Sequence, residues 1–363
     1  MTPNDAVLRA DANNFTAVRL LLASLVIYTH CYWLTTGVSG KDDLSDFLGA
    51  PVSVFAVDGF FFLSGFLVYP SLLRFGQSGR FLFARFARLW PGLLAAVLLT
   101  TIAGAFITEA SGLAYLRGDT AKFLLTNLTF LYGSYNLTGV NCGGEPCAIN
   151  GSLWTLPWEA RCYLGLALLG VLGLAKPTMM KYVVLPITLI GSVMWAVPPV
   201  QEIVGNLLGD GAVDQLGKAD RLWVLFALGA GAYVFRERLT LSWLVLVGLF
   251  AMMLAANAIG IGAHFRALFI GYLVLCLGLL SARNGAFSTK WPDYSYGMYI
   301  YAFPIMMALH AIGPTESHLL LGTITFFATV PVAAMSWHLI EKPVLEAVKR
   351  RRSQRAFAQP QKA

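Results

Sequence analysis

Four ionisable residues stand where a membrane anchor would carry none: Arg19, His30, Asp58 and Glu159, each inside a stretch otherwise apolar enough to enter a bilayer. Arg19 and His30 share the apolar run 15–34 and are eleven residues apart. At about 100° per residue, eleven residues make three turns plus about 20°, so both lie on one helix face, roughly 16 Å apart along the axis. A lone charge in hydrocarbon costs several kcal/mol, so such groups face protein or a watered cavity. A histidine with carboxylates at one depth is the makeup of a general base and its orienting partner. We therefore take His30 as candidate base, with Glu159 and Asp58 as candidate partners.

A second cluster is cationic. Arg80-Phe-Leu-Phe-Ala-Arg85-Phe-Ala-Arg88-Leu-Trp-Pro91 places Arg85 and Arg88 three apart, on one helical face, with Pro91 read as a stop. Arg74 and Arg80 are near in sequence, and Arg19 opens the first apolar helix on the same side. Guanidinium groups grip phosphate oxygens in pairs. Converging arginines at one mouth predict a polyphosphorylated small molecule there, and Arg19, Arg85 and Arg88 are its candidate ligands.

The elements that must hold these groups follow from composition. Of 363 residues, 57% are hydrophobic and 12% charged, against about 25% charged in a soluble domain; the mean hydropathy is +0.66. This predicts an all-α polytopic membrane protein. Ten spans are expected, near 16–36, 52–73, 89–108, 152–174, 182–199, 221–236, 240–258, 265–281, 294–312 and 320–341, making residues 1–345 one transmembrane domain and 346–363 a basic cytoplasmic tail. Residues 123–135 are too short to cross and read as interfacial or re-entrant. The basic residues are dispersed over short loops, which argues against a nucleic-acid partner. No cysteine or histidine spacing predicts a zinc or iron–sulfur site, and no metal is expected.

Orientation follows the basic residues. With the N-terminus inside, 19 of 26 Lys and Arg fall on cytoplasmic segments, so both termini are expected there. His30, Asp58 and Glu159 then sit roughly 6–10 Å below the outer surface, at about 1.5 Å per residue from their helix ends. The loop 135–151 becomes external, where Cys142 and Cys147 could close a disulfide.

The chain resembles the acyltransferase-3 family of integral membrane O-acyltransferases, in its stand-alone form, over essentially its whole length. Arg19-x10-His30 is similar to the family's first-helix signature. Asp58-Gly-Phe-Phe-Phe-Leu-Ser-Gly-Phe66 resembles its "FFxxSGF" segment, and Arg85-Phe-Ala-Arg88 its RxxR motif. Ser152-Leu-Trp-Thr-Leu-Pro-Trp-Glu159 resembles "SLWSLxxE", Tyr294-Ser-Tyr-Gly-Met-Tyr-Ile-Tyr-Ala-Phe-Pro304 resembles "SYxLYLxHFP", and Ile340-Glu-Lys-Pro343 the "IExP" ending. Ala160 and Ala302 stand where the family often has Glu and His, which leaves more of the chemistry to His30.

The resemblance implies transfer of an acyl group, acetyl by expectation, from cytoplasmic acyl-CoA to a sugar hydroxyl of an envelope glycan or lipid-linked sugar. Arg85 and Arg88, with Arg19, would hold the CoA phosphates. His30 would act as general base or accept the acyl group transiently, and Glu159 and Asp58 would orient it. No permanently bound cofactor is expected. The expected setting is the bacterial cytoplasmic membrane. The competing expectation is a secondary transporter of a polar solute, with His30, Asp58 and Glu159 as a proton relay.

Overall fold

The computed structural model describes residues 12–142 and 145–357. Among them the chain is helical apart from loops and one hairpin, Asn141–Cys142 against Glu145–Pro146. The main helices are α1 (Phe15–Thr36), α2 (Val52–Phe75), α3 (Ser78–Gly104), α4 (Asp119–Leu128), α5 (Leu156–Val171), α6 (Pro177–Trp195), α7 (Pro198–Leu208), α8 (Asp210–Val234), α9 (Trp243–Ala258), α10 (Gly262–Leu280), α11 (Ser295–Ile312) and α12 (His318–Arg350, helical on to Phe357).

Six of these, α1, α2, α3, α6, α10 and α12, are long and apolar enough to cross a membrane. The other four expected spans also fall on helices, each short of that standard for a visible reason. Helices α5 and α9 have 16 residues. Helix α8 opens with Asp210, Asp214, Lys218, Asp220 and Arg221, and α11 carries three tyrosines and Pro304. The third helix differs from expectation: it starts at Ser78, eleven residues early, so Arg80, Arg85 and Arg88 are helical and Pro91 is interior, not a stop. The tail expected from residue 346 continues α12 as helix to Phe357.

The chain forms two compact units, with boundaries inside α1, α3 and α5. The first unit gathers the chain up to Thr29, Ser39–Phe81 and Arg161–Trp291. Its axis is the crossing of α2 and α8. Gly65 stands against the Phe226 carbonyl, and Gly229 against the Phe62 carbonyl, with no room for a Cβ on either. Small residues let two membrane helices approach backbone to backbone, where dispersion and weak polar contacts replace the absent hydrophobic force. Asn14, fully buried, anchors the start of α1: its Oδ1 accepts from the Phe287 and Ser288 amides and its Nδ2 donates to Ser281.

The second unit holds residues His30–Val38, Leu82–Ala160 and the chain from Pro292 on. It contains the last turns of α1, most of α3, α4, the start of α5, α11 and α12. Helices α11 and α12 pack through Gly297 against Ala333, where an added Cβ would meet the Ala333 Cβ at 2.8 Å. In the loop, Cys147 is disulfide-bonded; the side chain of its expected partner Cys142 lies outside the described residues. Cys31, Cys162 and Cys276 are free thiols.

Candidate active site

His30 sits near the end of α1, half-buried, in the second unit. Its ring meets Phe303 of α11 edge-on, with centroids 5.0 Å apart and planes at 72°. Trp33, one turn along α1, covers the same ring at 6.0 Å. An edge-to-face pair fixes the plane of an imidazole while leaving its nitrogens open. Among the described residues no hydrogen bond reaches either nitrogen.

Helix α11 carries the rest of the site. Tyr296, Tyr299 and Phe303 recur at spacings of three and four, so they form one face. Tyr299 exchanges a 2.8 Å hydrogen bond with Thr155. Thr155 and Glu159 are four apart, where a 3-10 turn (Gly151–Thr155) feeds α5. The Glu159 carboxylate accordingly acts electrostatically on the hydroxyls of both Tyr299 and Tyr296. Glu159 is thus brought to the tyrosine face of α11.

At the other end of that face lies a charged network. Arg88 donates from Nη1 to Glu341 at 2.9 Å and from Nη2 to Asp293 at 3.0 Å. Its guanidinium also lies over the rings of Tyr296 and Trp337, at 5.7 and 5.4 Å. Glu341 is 1% exposed and also accepts from Ser336, whose hydroxyl accepts in turn from Tyr301. A π-turn over Trp337–Glu341 supplies the local geometry. The extra residue in such a turn re-aims the side chains that follow, and these turns concentrate at functional sites. Gly92 admits Tyr296: an added Cβ there would lie 2.8 Å from its ring.

Arg88 is thus held by protein carboxylates. Two carboxylates flank its one positive charge, so it does not offer a phosphate an uncompensated cation. Arg85, one turn back on α3, is half-buried with its Nε buried. Arg19 is half-buried in the first unit, on the stretch of α1 before His30.

Asp58 is 1% exposed in the first unit, and two guanidiniums hold it. Arg221 Nε of α8 donates to Oδ1 at 2.8 Å, and Arg266 Nε of α10 to Oδ2 at 3.0 Å. Arg221 also donates to the Val54 carbonyl at 3.1 Å. A carboxylate so enclosed joins three helices. The first unit also contains an apolar cavity of about 450 Å³, lined by Phe62, Leu185, Gly231 and Phe235 beside Lys181. It holds no carboxylate or histidine and offers no acid–base chemistry.

Sequence reasoning missed Asp293, Tyr301 and Ser336. Only Asp293, immediately before the Tyr294–Pro304 motif, carried a readable signal: an acid at the edge of an apolar span.

Comparison with known proteins now decides the class. The family model described as "Acyltransferase domain" matches residues 13–338. The chain belongs to this acyltransferase family. It is 27% identical to nodulation protein 10 of Rhizobium leguminosarum bv. viciae, covering 95% of this chain and 96% of that one. It is 28% identical to an O-acetyl transferase of Shigella phage Sf6, covering 92% and 96%. No solved structure matches it. The protein is a membrane acyltransferase.

Proposed function

We propose that this protein moves an acetyl group from acetyl-CoA to a sugar hydroxyl of an envelope glycan in the bacterial cytoplasmic membrane. The observation that carries the reading is His30. It is an imidazole fixed on the Phe303 edge, both nitrogens open among the described residues, one helical turn from a Thr155–Tyr299–Glu159 polar patch. The O-acetyl transferase relative supports acetyl as the group.

In this reading a ring nitrogen of His30 takes the proton of the acceptor hydroxyl as its oxygen bonds to the thioester carbonyl carbon. The tetrahedral intermediate collapses, the carbon–sulfur bond breaks, and the CoA thiolate recovers the proton from the imidazolium. Imidazole suits both steps because its ordinary pKa lies near neutrality. Arg85 holds the CoA phosphates. Arg88, through Asp293 and Glu341, fixes α3 against α11 and α12 and so sets where Arg85 stands. Thr155, Tyr299 and Glu159 supply hydrogen-bonding groups for the sugar.

The test compares wild type with His30→Ala in a host deleted for this gene, scoring O-acetyl esters on surface glycans by mass spectrometry with protein levels blotted. General-base catalysis contributes about 10²–10⁴-fold, so esters should fall at least about 100-fold at normal protein level. Esters unchanged in the deletion host itself would remove glycan acetylation as the function.

A further inference from the structure

Proline 304 lies inside α11. Proline has no N–H, so the carbonyl four residues back, Ile300, loses its helical donor. A buried carbonyl left this way must find another partner. It finds Asn150, whose Nδ2 donates to the Ile300 oxygen at 2.8 Å. Asn150 is fully buried and comes from the segment just before the Gly151–Thr155 turn.

That bond fixes which end of the amide is which. Nδ2 must face Ile300, so Oδ1 is an acceptor, and this buried Oδ1 has no hydrogen-bond partner among the described residues. A buried acceptor without a donor is costly, more so than the bond itself is worth. Its place is informative. The next residue, Gly151, stands against the Phe303 ring, where a Cβ would lie 2.9 Å from the ring edge. The His30 ring rests on that same Phe303. The residue after Asn150 and the imidazole of His30 therefore meet one aromatic ring.

We propose that Asn150 is a substrate-binding residue, whose Oδ1 accepts a hydrogen bond from a hydroxyl of the sugar acceptor. The assignment rests on the acetyl-transfer reading above and deepens it. A sugar offers hydroxyl donors on every face, the one group an amide oxygen in this position lacks. Asn150 then has two tasks on one amide: its nitrogen repairs the break made by Pro304, and its oxygen holds the acceptor beside the base.

The two tasks separate genetically. Pro304→Ala restores an N–H at position 304 and relieves Asn150 of the first task. In that background Asn150→Ala removes the second alone. Four forms, wild type, Pro304→Ala, Asn150→Ala and the double variant, are expressed in the deletion host. Thermal stability and acetyl-CoA affinity are measured on the purified proteins, and O-acetyl esters on the host's glycans. The double variant should match Pro304→Ala in stability and acetyl-CoA affinity yet lose esters at least about tenfold, the worth of one buried hydrogen bond left unmade. Asn150→Ser in the native background is the second variant. Its hydroxyl can still donate to Ile300 but puts no oxygen where Oδ1 was, so normal stability with lost esters supports the proposal.

Esters in the double variant at the Pro304→Ala level overturn it, leaving Asn150 a helix repair only. So does any pattern in which esters fall only together with stability. A wild type that forms no esters would instead remove the acetyl-transfer reading itself.

Discussion

Replacing Arg88 by methionine separates two accounts of the arginine pair. If Arg88 were chiefly a phosphate ligand, Arg88→Met would weaken acyl-CoA binding and leave the fold intact. The structure argues otherwise. Removing the guanidinium leaves Glu341, 1% exposed, with the Ser336 hydroxyl as its donor, beside Asp293 at 19% exposure. Breaking a buried ion pair by removing one partner costs about 3–5 kcal/mol, because the surviving charge stays buried. Arg88→Met should therefore cost about that much, read as denaturant or thermal unfolding of the purified protein. Glu341→Gln keeps the shape and removes one charge, and the double variant Arg88→Met/Glu341→Gln should cost less than the sum of the singles by about 0.5–3 kcal/mol. Arg85→Met is the contrast. It should leave stability within about 1 kcal/mol and weaken acetyl-CoA binding about 10–100-fold, the worth of one charge-assisted hydrogen bond. A fully stable Arg88→Met with weakened acetyl-CoA binding would refute the reasoning.

Two other outcomes follow from the packing. Asp58→Ala strands the guanidiniums of Arg221 and Arg266 inside the first unit. It should lower stability by about 3–5 kcal/mol while the surviving folded protein binds acetyl-CoA with native affinity; lost affinity at native stability would return Asp58 to the site. Gly92→Ala drives a methyl into the Tyr296 ring, and overpacking of this kind costs about 1–3 kcal/mol. Ester formation should fall with it, and an unaltered Tm would mean that α3 and α11 are not held together at Gly92.

The sequence carried the helices but not the pairings. His30 stands out in it because an ionisable group in a 20-residue apolar run has few innocent explanations, and α1 forms as that run dictates. The start of α3 was not legible. Arg80, Arg85 and Arg88 lower the local hydropathy, and Pro91 reads as a break, yet a helix tolerates all four when its neighbours accept the charges. Those neighbours are distant in sequence: Asp293 and Glu341 lie 205 and 253 residues beyond Arg88. The same holds for Asp58, whose partners are 163 and 208 residues away. A charge in an apolar helix announces that a partner exists, and only the fold says whether that partner is a substrate or another helix.

Helix α11 settles that question for most of the charged groups in the second unit. Its inward face runs from Tyr296, under the Arg88 guanidinium, through Tyr299 and Thr155, to Phe303 under His30. Seven residues at about 1.5 Å each put roughly 10 Å between the two ends. The Arg88 end is closed, with each charge answered by an opposite one. The His30 end is open, with two ring nitrogens and one amide oxygen that no described residue engages. A protein that binds its substrates through unanswered groups and holds its helices through answered ones should react at the Phe303 end of this face. Substitutions at the Arg88 end should then be felt first as lost stability, and substitutions at the His30 end first as lost ester.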